Sequence, residues 1–224
     1  MQCKLTKKTI NKGAKEMQNS KIMFILGPGH GGISAGNFYL TKGKQSPKFA
    51  DGSRLYEGEF NRKITKLVHE DPNLFTDLPW NCPANITLKS RIKYVKELNQ
   101  KYKNCAFLAV HANAAGRRGW SSAHGVVVFY HPANSEGKKL AECILRGFEN
   151  IEEISTARGV KPCNYAVLRG TRHIPGALVE CGFMTNKKEA EFLKSSEGQR
   201  KIAVAIRAGL RNFEAKKILD KVRK

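Results

Sequence analysis

No apolar stretch in this sequence reaches the ~18 residues that a membrane-spanning helix needs, so it offers no transmembrane segment. Acid is scarce as well: 19 Asp and Glu stand against 40 Lys and Arg, a formal net charge of +21. The six cysteines (Cys3, Cys82, Cys105, Cys143, Cys163, Cys181) form no CxxC pair and keep no regular spacing. That excludes a structural zinc knot and a dense disulfide framework. Cys105, Cys143 and Cys181 lie in apolar stretches and read as buried free thiols, the usual state in a reducing compartment. Residues 1–21, MQCKLTKKTINKGAKEMQNSK, are basic but lack the apolar segment of a secretory signal peptide. The expectation is a protein made in the cytoplasm and delivered by some other route.

The cation excess calls for an anionic partner, whether nucleic acid, a membrane surface or an acidic polymer of a cell envelope. No helix-turn-helix, zinc finger or aromatic RNA-binding strand pair is present, so no dedicated nucleic-acid site is expected. With 224 residues, 41% of them hydrophobic and 26% charged, the chain is long enough for one α/β domain. No internal repeat or low-complexity linker divides it. Three stretches are expected: a basic leader over 1–20, a catalytic domain over 21–213 and a basic tail over 214–224.

Residues 22–26 form an apolar run stopped by Gly27-Pro28-Gly29, which reads as a buried strand entering a loop. Phe60, Ile64, Leu67 and Val68 recur at helical spacing, and that helix stops before Pro72. Residues 72–86 hold three prolines and read as irregular. Leu88, Ile92, Val95 and Leu98 mark a second helix, and Leu140, Ile144, Leu145 and Phe148 a third. A final helix carries Ile202, Ala205, Ile206, Leu210 and Phe213, and the tail continues it as a solvated helix. Further strands are expected over 105–110, 125–130, 165–168 and 177–180. Buried strands alternating with helices predict a single α/β domain, a twisted, mostly parallel sheet with helices on both faces.

In such sheets functional groups collect where strands end. Three strand ends carry a metal-capable or acidic residue: His30 in GPGHGG, His111 in LAVHANA and Glu180 in ALVECGF. Glu57, in RLYEGEF, opens a helix, where the positive end of the dipole favours a carboxylate. Two imidazoles and a carboxylate make a catalytic zinc set with one position open for water, and a further carboxylate beside it can serve as general base. Each piece alone also has a bland reading. A His at a strand end is often a hydrogen-bonded structural residue, and Glu180 can be an exposed strand terminus. GPGHGG can be a phosphate-binding turn, although it lacks the Lys-Ser/Thr of a P-loop and the GxGxxG spacing.

Four segments in order, FILGPGHGG, YEGEFNRKI, FLAVHANA and ALVECGFMTN, resemble the zinc-dependent N-acetylmuramoyl-L-alanine amidases of bacterial cell-wall enzymes and phage endolysins. TLKSRIKYVKELN stands in the position of that family's Leu-x-x-Arg helix. The resemblance runs from about Lys21 to Phe213. It implies Zn2+ on His30, Glu57 and His111, Glu180 as the catalytic carboxylate, and a peptidoglycan amide bond as substrate. Glu59 competes with Glu57, but the family places an Asn or apolar residue four after its ligand Glu, and Asn61 fits Glu57. Asn113 resembles the family's Asn after the second His and either positions that loop or caps a turn.

Gly27 stands where the family usually has Asp, so support for His30 must come from elsewhere. Only RRGWSSAHG separates HANA from the next strand, where autoinhibited relatives carry an extra helix, and this implies a constitutively open enzyme. His124 and His131 flank a strand at the cleft rim, His173 lies nearer the Glu180 strand, and His69 is solvated at a helix end. The resemblance implies a lytic, endolysin-like enzyme acting on the wall after lysis-associated release, its cations suited to an anionic envelope polymer. Two other classes stay open: a zinc carboxypeptidase-like peptidase on other substrates, and a basic, non-catalytic binding protein.

Overall fold

The computed structural model describes residues 21–31, 33–34, 37–38, 41, 43–79, 86–116 and 119–223. The expected leader over 1–20, Cys3 and Cys82 lie outside them.

In chain order the elements are β1 (Met23–Pro28), β2 (Ile33–Ser34), β3 (Asn37–Phe38), α1 (Glu57–His69), β4 (Thr76–Asp77), α2 (Leu88–Tyr102) and β5 (Cys105–Asn113). There follow β6 (Val127–Tyr130), α3 (Ser135–Gly147), β7 (Val160–Pro162), α4 (Ala166–Gly170), β8 (Gly176–Phe183), α5 (Lys187–Lys194) and α6 (Ser196–Val222). Six strands form one sheet in the order β4-β1-β5-β8-β6-β7, and β2 pairs with β3 apart from it. Within the six-stranded sheet only β6 against β8 is antiparallel. The mostly parallel α/β domain expected from the sequence is the one observed.

Alternation along the strands gives the sheet two apolar faces. Phe24, Leu26, Leu108, Val110 and Val179 join the larger core with α1, α3 and α6. Met23, Ile25, Phe107, Ala109 and Leu178 face the other way, onto α2 and α4. A sheet covered on both sides needs near-continuous apolar strands, and β1 and β5 read that way.

Residues 165–168, expected as a strand, instead enter the short helix α4. The run YAVL is too short to fix a period, and Thr171 closes a helical turn by donating its backbone N–H to Val167 O. The irregular stretch before α2 contains the edge strand β4, and β7 and α5 also escaped the periodicity argument because each is short. β1 runs two residues beyond the expected stop, since Gly27 and Pro28 still pair with Ala109 and Val110. The tail continues the last helix as expected: α6 passes through Phe213 without a break to Val222. Between β5 and β6 the described residues hold no helix.

Candidate metal centre

β1 and β5 are neighbours and run parallel, so their C-terminal ends, where His30 and His111 stand, lie at one edge of the sheet. The chain turns sharply after Pro28, with Gly29 N–H donating to Val110 O at 3.1 Å. The left-handed residue of this turn is His30 itself, with φ 57°. The glycine before it serves close approach: a β-carbon on Gly29 would meet the His111 ring at 2.1 Å.

Glu57, the first residue of α1, is 2% exposed and sits between the two imidazoles. Its Oε1 lies 2.9 Å from His111 Nδ1 and 3.4 Å from His30 Nε2. The rings stand edge to face with centroids 5.1 Å apart. One ligand-capable atom from each of His30, Glu57 and His111 falls within 4.8 Å of the other two. Among the described residues this is the only such group. Glu59 is half-buried, two residues on and roughly 200° around the helix, and stands outside that group.

The electrostatics suit a cation. Burial alone would raise the Glu57 carboxyl, yet His111 and His30 hold it far below the ordinary carboxylate range. Burial pushes the His111 imidazole down against the pull of Glu57, favouring the neutral ring that binds metals. The donor set tests well against a metal ion on one further count, because Glu57 Oε2 is buried without a hydrogen-bond partner. An unsatisfied anionic oxygen in such a place costs free energy that a bound cation relieves.

Glu180 is not part of this trio. It is the cross-strand partner of His111 in the β5–β8 pairing and of Val127 in the β6–β8 pairing. Its Oε2 is also buried without a hydrogen-bond partner. Burial, then the charge of Glu57, pushes its carboxyl up to about 8, with Lys44 pulling the other way. A cleft of about 300 Å³ opens beside the histidines, lined among others by Gly29, Arg91, Phe107 and Ala109.

The supports of this site were harder to see in the sequence. With Gly27 in place of an acid, the turn carrying His30 is held through its backbone. Arg91 Nη1 donates to Pro28 O at 2.7 Å, and Asn61 Nδ2 donates to Gly29 O at 3.1 Å. Arg91 also reaches Ile86 O at 3.0 Å, so α2 braces the loop from below. The signal was the arginine of Leu88-Lys89-Ser90-Arg91, a cation on the buried side of a helix. Glu189 was missed altogether: its carboxylate accepts from Phe183 N–H and Gly125 N–H, both at 2.7 Å, clamping the ends of β8 and β6 together.

Asn113 Oδ1 accepts from Ala114 N–H at 2.8 Å, a bond within its own loop. The motif around Thr185 is architectural: its Oγ1 accepts from Ala115 N–H at 2.9 Å, and Asn186 caps α5. His69 bonds Thr76 Oγ1, His124 lies by Ser122 O, and His131 Nδ1 accepts from Ala133 N–H. None of these, nor His173, joins the metal-capable group.

A family description for N-acetylmuramoyl-L-alanine amidases matches residues 24–212. An uncharacterized cell wall amidase of Bacillus anthracis is 32% identical over 205 residues, covering 84% of this chain and 35% of that protein. The N-acetylmuramoyl-L-alanine amidase LytC of Bacillus subtilis strain 168 is 31% identical over 205 residues, covering 88% of this chain and 37% of its own length. This chain thus spans little more than a third of either relative. The crystal structure of an N-acetylmuramoyl-L-alanine amidase from Clostridium difficile 630 superposes with a TM-score of 0.73 at 23% identity, covering 88% of this chain and 99% of that one, a likeness of fold. The chain belongs to the N-acetylmuramoyl-L-alanine amidase family.

Proposed function

We propose that this protein hydrolyses the amide between N-acetylmuramic acid and L-alanine in peptidoglycan, with Zn2+ on His30, Glu57 and His111. The observation that carries this reading is the trio itself, with Glu180 beside it on the adjoining strand. Two imidazoles and a carboxylate are a catalytic rather than a structural zinc set, because they leave a coordination position open. Zinc, when bound, supplies Lewis-acid polarisation of the scissile carbonyl and lowers the pKa of water.

The remaining work falls to the chain's own residues. Glu180 accepts a proton from the attacking water, and its raised affinity for protons suits it to hold that proton. It then passes the proton to the leaving alanine nitrogen, which departs as a neutral amine. The turn from Pro28 to Gly31, braced by Arg91 and Asn61, keeps His30 facing Glu57. The lytic, endolysin-like use of this activity is part of the same reading, and the net charge of +21 favours approach to an anionic envelope.

Mass analysis of peptidoglycan after incubation with the protein tests the reading. The expected products carry new L-alanine amino groups and no new reducing sugar ends. Reducing ends in step with clearing would indicate a glycosidase. Cleavage between stem amino acids would indicate a peptidase instead.

A further inference from the structure

We propose that the end of α6 is a docking surface for the headgroup region of an anionic lipid bilayer. Six large hydrophobic side chains are exposed among the described residues, and three of them, Ile218, Leu219 and Val222, fall within five positions (51%, 54% and 79% exposed). Isolated exposed apolar residues are ordinary, whereas a cluster on one surface calls for a partner.

The orientation of this turn is fixed by what it touches. Phe213 is buried in the larger core. Lys217 Nζ bonds Glu136 of α3 at 2.9 Å, and Asp220 lies 3.8 Å from Lys139 of the same helix. Phe213, Lys217 and Asp220 therefore define the inward side. At roughly 100° per residue, Ile218, Leu219 and Val222 fall on the opposite side, with Lys221 and Arg223 on its two flanks. An apolar stripe edged by cations, lying along the surface of a folded body, is the pattern of a helix that rests in a membrane interface. No helix among the described residues is long and apolar enough to cross a membrane.

Ile22 N–H donates to Glu214 Oε1 at 2.8 Å, which ties α6 to the start of the sheet one turn before Ile218. Residues 216–224 carry five cations against Asp220. That charge selects among the occupants. A second copy of this face would bring like charge against like. A hydrated polyanion would answer the cations but offers nothing to three branched apolar side chains. An anionic bilayer answers both, with phosphates for the lysines and the acyl boundary for the stripe.

Co-sedimentation of the full chain with vesicles tests this. Binding is expected to vesicles containing phosphatidylglycerol, with little to phosphatidylcholine alone. The triple variant Ile218→Ser, Leu219→Ser, Val222→Ser should weaken binding about tenfold or more at unchanged melting temperature, because these side chains touch no core. Lys221→Gln with Arg223→Gln should also weaken it about tenfold and flatten its dependence on salt. Equal binding to neutral and anionic vesicles would overturn the proposal. So would full vesicle binding by the triple variant, or binding to lipid-free wall polymer but not to vesicles. A dimer in sedimentation equilibrium that the triple variant abolishes would assign the face to a second copy and overturn it too.

Discussion

Gly58 approaches Gly31 so closely that a β-carbon on Gly58 would stand 1.7 Å from the Gly31 carbonyl oxygen. The start of α1 is thus pressed against the turn that carries His30, and this contact sets the His30–Glu57 distance. Glu57 is the residue before Gly58, so any retreat of the helix moves the carboxylate with it. Gly58→Ala must push helix and turn apart, because the clash is with backbone. Its expected cost is about 1–3 kcal/mol of stability. Zinc affinity should fall about 10- to 100-fold, the scale of disturbed ligand support. Thermal unfolding of the metal-free protein reads the first, and competition with a chromophoric chelator the second.

Arg91 offers a test of the same turn from the other side. It is 6% exposed and donates to the carbonyls of Pro28 and Ile86. Arg91→Met keeps most of the apolar length but leaves both carbonyls without that donor, at a cost of about 1–3 kcal/mol. Because the braced carbonyl lies two residues before His30, metal affinity should fall along with stability. A loss of stability at unchanged metal affinity, measured by equilibrium dialysis, would make Arg91 purely architectural.

What the sequence revealed and what it hid follow physical lines. The long buried strands β1, β5 and β8 and the amphipathic α1, α2, α3 and α6 were legible, since each needs an apolar run or a 3.6-residue period longer than noise. His30, His111 and Glu57 were legible because strand ends and helix starts converge at the C-terminal edge of a parallel sheet. The short elements β4, β7 and α5 were not, and YAVL was misread as a strand. Arg91 was legible as part of its motif, but its bond to Pro28, like that of Glu189 to Gly125, was hidden for another reason. Their partners are backbone atoms 63 and 64 residues away, for Pro28 and Gly125, and no local pattern records such a bond. Asn186-Lys187-Lys188-Glu189 even looks like a capping box, in which the glutamate would turn back on its own helix. Here Asn186 does cap α5, while Glu189 reaches across to two strands instead.

Glu189 is therefore expected to matter more for folding than for chemistry. It is 4% exposed, and Glu189→Ala strands the N–H groups of Phe183 and Gly125 in the interior. Each orphaned donor costs about 1–3 kcal/mol, so this variant should lose about 2–6 kcal/mol in denaturant unfolding. Glu189→Gln retains one acceptor oxygen and should lose less. Zinc binding, measured on whichever fraction stays folded, should hold.

Removal of the metal tests the trio directly. The purified protein should carry about one zinc per chain, and a chelator should abolish activity that added zinc restores. His30→Ala and His111→Ala should each lose metal. The wild-type melting temperature should rise with zinc concentration, since a ligand bound only by the folded state stabilises it. That rise should vanish in the two variants. A double variant lacking both histidines that still binds stoichiometric zinc would place the metal elsewhere.

Glu180 separates proton chemistry from metal binding, and two measurements on Glu180→Gln make the separation. The first is kinetic. Glu180 stands beside the trio without joining it, so Glu180→Gln should keep its zinc while turnover falls about 100-fold or more, the scale of a lost general base. The second is thermodynamic and uses metal-free protein, where no activity is needed. Burial and the neighbouring Glu57 raise this carboxyl from 4.5 in the unfolded chain to about 8 in the fold. The folded state therefore binds the proton more tightly, and stability from Glu180 is fully present below pH 4.5 and lost as pH rises through 8. Glutamine cannot ionise, so the variant escapes that loss. The stability gap between Glu180→Gln and wild type should accordingly open with rising pH across this window, by at least about 2 kcal/mol, and level off above it. Taking the difference between the two proteins cancels the titrations of His30, His111 and Glu57, to the extent that they are shared. A gap that stays flat from pH 4 to 9 would mean that Glu180 is solvated, and its part in proton transfer would have to be given to another group.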